Sequence, residues 1–508
     1  MTLSVLMSRS LVGLEAPVVR VETHLASGLP SFTIVGLADA EVRESRERVR
    51  AAIQSSGFSF PCGRLTVNLS PADLPKESGR FDLPIAIGVL LASGQIDLPE
   101  LLAIKNKVPE EPSLSHLVFA GELSLSGGLV PIAGAISIAL AVARENSNSV
   151  LVLPASSAEI AARVPSIQVL KANSLNEVVL HLSGKKTLQR ATSKTMIRQR
   201  FTLPCLSDVK GQPFARRALE IAAAGGHSLL MTGTPGVGKS MLASRLPGIL
   251  PDLSIHESLD VASIAAFSSC SGFDWGLRPF RSPHHCSSVA AMLGGGSRPR
   301  PGEVTLAHKG VLFLDEIPEF DRRVLEGLRE PLETKEVCVS RARQQITFPA
   351  DFQLIAAMNP CPCGWHGHSS ARCTCRQEVI EKYQSKLSGP LLDRIDISVR
   401  VREIDQSWLN LPKSEPSHQV KKRVDYARNI QLSRQGGSNH IMSTDSIDQF
   451  CILTNEANKL LASITKTKNL SARSIQKIRK VARTCADLAG EEQLNEGHIG
   501  EAIQLRYQ

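Results

Sequence analysis

The chain predicts an α/β protein with a helical C-terminal region, on three observations. Short β-branched runs alternate with helical patterns across residues 1–183. A second strand–helix alternation starts near Leu206. From Glu403 onward the apolar residues recur with helical period almost throughout. At roughly 100–200 residues per domain, 508 residues make about three units. A hydrophobic content of 42% with 21% charged residues supplies sizeable cores and excludes a disordered or fibrous chain. The apolar stretches 83–92 and 132–143 are too short to span a bilayer. Residues 1–19 lack the basic start and cleavage site of a leader. The expectation is an intracellular, cytoplasmic, soluble protein with no membrane partner. Its 11 cysteines then read as reduced thiols. The net charge of +9 is compatible with a polyanion partner but does not establish one.

In the first domain, 1–183, strands are expected at 18–23, 31–35, 65–69, 117–120 and 150–153, and helices at 40–55 and 82–92. A linker follows at 184–205. Its stretch 184–200 holds six Lys/Arg and no acid, which leaves open a solvated tether or a contact with nucleic acid or a neighbouring subunit. A nucleotide-binding core is expected at 206–402. A helical domain is expected at 403–508, with helices at 421–433, 455–465 and 472–488.

The core carries Gly233-Thr234-Pro235-Gly236-Val237-Gly238-Lys239-Ser240, between an apolar strand at 228–232 and a helix start at 241–246. Glycines let backbone N–H groups turn toward phosphate oxygens, and the helix N-terminus adds positive potential. Lys239 can reach the β- and γ-phosphates of ATP, and Ser240 can ligate Mg²⁺. Downstream, the apolar strand 310–314 ends in Asp315-Glu316. Asp315 suits the Mg²⁺ shell, and Glu316 is placed to polarise an attacking water. A third strand, 352–358, ends in Asn359, which can orient that water.

Cys361, Cys363, Cys373 and Cys375 form two CxC pairs separated by nine residues. Four thiolates so spaced suit a structural, tetrahedral Zn²⁺. Free thiols, a redox pair or an iron–sulfur cluster are the alternatives. Adjacent His284 and His285 would point to opposite faces of a strand, which disfavours joint metal ligation.

These motifs do not stand alone. Arg217–Gly226 and His227 lead into the phosphate loop. RPFRSPHH at 278–285 is followed by Gly294-Gly295-Gly296 and Pro299-Arg300-Pro301-Gly302-Glu303. LSGPLLDRID occupies 387–396. With them the chain resembles the ComM/YifB family in the magnesium-chelatase-like branch of AAA+ ATPases, over nearly its whole length. The resemblance implies an AAA+ P-loop parallel-sheet core with a helical lid. It also implies an N-terminal Lon-protease-like, ribosomal-S5-like α/β domain. Asn359 then corresponds to sensor 1, Arg394 to an arginine finger acting on a neighbouring subunit, and Arg473 to sensor 2. A homo-oligomeric, hexameric ring is implied. The N-terminal likeness rests on GELSLSGGLVPI at 121–132. The Lon nucleophile context is missing around Ser78, and no Lys stands near Ile136, so a non-proteolytic module is expected.

In this family a hairpin before sensor 1 faces the ring pore. Here residues 336–348 read strand–turn–strand with Arg341 and Arg343 near the tip, suited to phosphates of single-stranded or branched DNA. The insert 278–302, with Arg281, Arg298 and Arg300, is a second candidate. The implied activity is an ATP-dependent DNA helicase or translocase that drives branch migration during integration of DNA in natural transformation. The alternative is a chelatase-type ATPase that remodels a protein partner for metal insertion.

Overall fold

The computed structural model describes residues 3–36, 40–74, 76, 79–99, 114–145, 148–193, 203–267, 275–296, 299–341, 344–368, 372–403 and 412–507. The chain divides into two compact units. One is Met1–Ile197 with Ala262–Phe273; the other is Arg198–Val261 with Asp274–Gln508.

The first unit holds β1 (Leu3–Arg9), β2 (Val18–Ala26), β3 (Ser31–Val35), β4 (Arg64–Ser70), β5 (Leu117–Phe119), β6 (Glu122–Leu123), β7 (Leu129–Val130), β8 (Val150–Pro154), β9 (Gln168–Ala172) and β10 (Gln189–Arg190). Eight of them form one mixed sheet in the order β10-β9-β8-β5-β1-β2-β4-β3, and β6 and β7 make a separate hairpin. The N-terminal apolar residues build β1, which sits in mid-sheet, antiparallel to β2 and parallel to β5. Leu6, Val19, Val21, Leu65 and Val67 pack under the buried helix Asp82–Ala92. Gly88 permits that approach, since a Cβ there would stand 2.5 Å from Thr23 Oγ1. Part of the expected linker is sheet, because β10 pairs antiparallel with β9; residues 194–202 lie outside the described residues.

The second unit holds β11 (Leu229–Thr232), β12 (Phe280–Arg281), β13 (Gly294–Gly295), β14 (Arg300–Pro301), β15 (Val311–Leu314), β16 (Glu336–Arg341), β17 (Gln344–Pro349), β18 (Gln353–Met358) and β19 (Ile397–Arg400). Five form a sheet in the order β12-β15-β18-β11-β19, every neighbouring pair parallel. The pairs β13–β14 and β16–β17 are antiparallel hairpins. The inner strands are apolar along their length, as burial on both faces requires.

Helices Ser417–Gln435, Thr444–Phe450, Asn455–Lys468, Ala472–Ala489 and Glu496–Gln504 make up the helical region. The amphipathic Ala472–Ala489 lays Ile478, Val481, Ala482 and Cys485 against helix Pro213–Gly225 in one core. Its buried Asp487 takes Arg434 at 2.7 Å and Arg483 at 3.0 Å. Removing one partner of such a buried network costs about 3–5 kcal/mol, so these charges pin the helices to each other. Among the described residues no helix is long and apolar enough to cross a membrane.

Candidate nucleotide site and cysteine cluster

Because the five strands run parallel, their C-terminal ends share one edge. Thr232 lies opposite Met358, and Leu314 opposite Ala356. This register brings the loop after β11, the Asp315-Glu316 pair after β15 and Asn359 after β18 side by side. Gly236 and Gly238 turn the loop with φ of 83° and 94°, and helix Lys239–Arg245 begins at once. Ser240 Oγ donates to Asp315 Oδ2 at 2.6 Å. Lys239 Nζ donates to Gly233 O at 2.6 Å, Thr234 O at 2.9 Å and Asn359 Oδ1 at 3.1 Å. Burial lowers the Lys239 pKa, while the charges of Asp315 and Glu316 oppose that. Hydroxyl, carboxylate, ammonium and amide thus meet where a helix N-terminus and glycine N–H groups also point. The donor set fits the phosphates of a nucleotide and a hard divalent cation.

Glu316 is exposed, with φ of 51°. A non-glycine residue in that region costs roughly 1–2 kcal/mol, a strain typical of functional sites. Its backbone N–H donates to Asp315 Oδ1 at 3.0 Å, which couples the two acids. His285 Nδ1 stands 4.0 Å from Glu316 Oε2. The residues RSPHH do not continue a strand; β12 ends at Arg281 and a turn follows. The expectation that the two histidines diverge is therefore corrected: their rings lie against each other, centroids 4.1 Å apart and tilted by 33°. With Cys286 their ligand atoms fall within 4.8 Å of one another, and His284 Nδ1 accepts from the Cys286 N–H at 3.3 Å.

The four cysteines converge directly after Asn359. Their sulfurs all lie within 4.8 Å of one another. Separations are 3.3 Å for Cys361–Cys363, 3.8 Å for Cys361–Cys373 and 3.6 Å for Cys363–Cys373. A disulfide needs about 2.05 Å, whereas a tetrahedron with zinc–sulfur bonds of about 2.3 Å has edges near 3.8 Å. The donor set fits a closed tetrahedral site. The Trp365 backbone N–H, foremost, holds the Cys363 thiol down at about 6. His366 stays outside the cluster, its N–H donating to Cys361 Sγ at 3.3 Å, and His368 pairs with Glu403 at 3.0 Å. The cysteine turn abuts the phosphate loop: a Cβ on Gly364 would lie 2.6 Å from Pro235 Cγ. Tyr383 shares a hydrogen bond with the Asn359 backbone. Burial, foremost, pushes its hydroxyl up to about 12.

Arg394 and Arg473 do not join this edge. They line a cavity of about 400 Å³ together with Ser228, Gln353 and Asp396, which precede or begin strands β11, β18 and β19. That is the opposite end of the sheet, roughly 16 Å from the loop at ~3.3 Å per strand residue. There both arginines pair with Glu333, a residue that sequence reasoning missed.

The hairpin is as expected, β16 against β17 with Arg341 opposite Gln344. Arg343 and Arg298 lie outside the described residues, as does Ser78. Arg281 belongs to β12 and forks onto Glu303 with two contacts of 2.7 Å, so it is a structural clamp of the insert. Arg300 is exposed on β14. Ile136 is buried in helix Ala135–Glu145.

The family description "Magnesium chelatase, subunit ChlI" matches residues 205–409. "Subunit ChlI of Mg-chelatase" matches 21–157, and the ChlI C-terminal description matches 414–506. The competence protein ComM of Haemophilus influenzae is 42% identical over 515 residues, spanning 100% of this chain and 98% of that protein. The YifB protein of Salmonella typhimurium is 43% identical over 510 residues, spanning 100% and 97%. Lon protease 2 of Bacillus subtilis is a more distant relative, 30% identical over 183 residues, 30% of this chain and 32% of that protein.

Proposed function

Because this chain belongs to the magnesium-chelatase-like ComM/YifB family, we propose that it is an AAA+ ATPase working as a hexameric ring on single-stranded or branched DNA. One observation carries the reading. The phosphate loop, with Ser240 on Asp315, occupies one edge of the sheet, while Arg394 and Arg473 share the other. A chain split in this way completes its site by head-to-tail packing, a heterologous contact that closes into a ring.

Residues 233–240 cradle the phosphates of ATP, and Lys239 exchanges the loop carbonyls for phosphate oxygens. Ser240 and Asp315 hold Mg²⁺, which when bound neutralises charge on those oxygens. Glu316 accepts a proton from the attacking water, and Asn359 orients that water. Arg394 and Arg473 reach the nucleotide of the neighbouring subunit and stabilise charge developing in the transition state. Cys361, Cys363, Cys373 and Cys375 hold a structural Zn²⁺ that fixes the turn beneath Pro235 and Asn359. Arg341 and Arg343 grip DNA phosphates in the ring channel. The first domain is a non-proteolytic module. The role read here is cytoplasmic integration of incoming DNA by branch migration; the relative's name, competence protein, supports its competence-related part.

Stimulation of ATP hydrolysis by single-stranded DNA, across a range of salt, tests this reading. A clear rise that weakens with salt is expected. No rise at any salt would overturn the DNA motor and favour a chelatase-type remodelling of a protein partner.

A further inference from the structure

Arg394 follows the short helix Gly389–Leu392, and Arg473 sits in the first turn of helix Ala472–Ala489. They nevertheless meet at one atom. Arg394 Nη2 lies 2.8 Å from Glu333 Oε1, and Arg473 Nη2 contacts that same oxygen. The rest of the Arg394 guanidinium is committed to backbone, with Nε on Arg329 O at 3.1 Å and Nη1 on Pro390 O at 2.6 Å. Its direction is thus fixed without Glu333, and Nη2 is the donor left to point outward. The lysines around the cavity are engaged elsewhere. Lys477 pairs with Asp396 at 2.9 Å, Lys480 donates to His440 O at 2.9 Å, and Lys335 pairs with Asp351 at 3.4 Å. One carboxylate therefore serves two guanidiniums inside a cationic cavity. A terminal phosphate, with more charge and three acceptor oxygens, satisfies such a pair better than a single carboxylate does.

Resting on the reading that both arginines serve the neighbouring subunit's nucleotide, we infer that Glu333 is a placeholder for that nucleotide's terminal phosphate. Its Oε1 stands where a phosphate oxygen is held in the assembled ring. It keeps the two arginines together until the phosphate displaces it. Glu333 lies in the last turn of helix Arg329–Thr334 with 44% of its side chain exposed, so it has solvent to turn into when displaced. It touches no reacting atom and acts through the arginines, as a positioning residue. Nucleotide and carboxylate then compete for one pair of cations.

The test is steady-state hydrolysis of MgATP by full-length wild type, Glu333→Gln, Glu333→Asp and Arg394→Ala, at a chain concentration that saturates assembly. Two partly exposed ion pairs at about 0.2–1 kcal/mol each set the scale. Glu333→Gln should lower KM for ATP by about 3–10-fold without lowering kcat, whereas Glu333→Asp keeps the charge and should stay within about twofold of wild-type KM. Glu333→Ala removes the same charge and should shift KM the same way, should the Gln variant fold poorly. An unchanged or raised KM in the neutral variants overturns the placeholder. So does an equal loss of kcat in the Gln and Asp variants, which a merely structural residue would give. Arg394→Ala separates the two levels of the argument. If it loses turnover while the neutral variants leave KM unmoved, the placeholder alone fails; if it turns over like wild type, the trans-acting reading fails first.

Discussion

Replacing Gly364 by Ala should loosen ATP binding more than it unfolds the protein. Gly364 has φ of 84°, and a Cβ there would sit 2.6 Å from Pro235 Cγ and 2.7 Å from Pro235 Cδ. The left-handed conformation costs an L-residue roughly 1–2 kcal/mol. Ordinary carbon contacts fall at about 3.5–4.0 Å, so the new methyl overlaps Pro235 by about 1 Å. Either the cysteine turn or the phosphate loop must give. Cys361 and Gly364 are buried, and the turn is tied by the cluster of sulfurs, whereas Pro235 is exposed. The loop therefore yields, and its N–H groups leave their phosphate-binding positions. Overpacking of this kind costs about 1–3 kcal/mol; if half of that falls on binding, ATP affinity drops by about 2–12-fold. The assay is titration with a fluorescent ATP analogue in the Glu316→Gln background, alongside a melting curve and a zinc measurement. Affinity within twofold of the parent would refute the reasoning. Lost zinc with unchanged affinity would show that the turn gives way instead.

Glu316→Gln should bind ATP but hydrolyse it at least about 10²-fold more slowly, because the general base is lost while Asp315 keeps its contact with Ser240; turnover near wild type would contradict the assignment. Elemental analysis should find about one zinc per chain, as one four-thiolate site requires; iron with sulfide, or no metal, would replace the zinc reading. Neutralising Arg341 and Arg343 together should weaken DNA binding and flatten its log–log salt slope by about 0.7 per lost contact for single strands; an unchanged slope would move the grip to the 278–302 insert.

The convergence of Lys239, Ser240, Asp315 and Asn359 was legible because each part of this candidate site is local. A glycine loop ahead of Lys239 and an apolar run ahead of Asp315 declare themselves within ten residues, and a parallel sheet then brings them together whatever lies between. The cysteine cluster was legible for the same reason, its ligands lying close in sequence. Three helices of the C-terminal region were legible from period alone, with Asn455–Lys468 and Ala472–Ala489 running three residues and one residue past the expected spans, whereas the short Thr444–Phe450 and Glu496–Gln504 were not singled out. Strand β1 was passed over because a short apolar run at the N-terminus has no turn signal ahead of it and shows its partners only across the sheet. Strand β10 hid inside a basic segment, since two residues on a sheet edge need backbone pairing and little hydrophobicity. The ring contact of His284 with His285 depends on the turn after β12, which the motif RSPHH does not announce. Glu333 left no local signal at all. It lies in an ordinary helical stretch, and its meaning comes from two arginines far along the chain that fold onto its carboxylate.

The central claim is that one chain supplies the phosphate loop and its neighbour the arginines. Subunits carrying Lys239→Ala and subunits carrying Arg394→Ala should each be nearly inactive as pure assemblies. Mixed before assembly, they should recover part of the ATPase, because some interfaces then join an intact loop to an intact arginine. Recovery that peaks at intermediate mixing ratios is the predicted result. No recovery in assemblies shown by mass to contain both variants would contradict it, and would place Arg394 in the service of its own subunit.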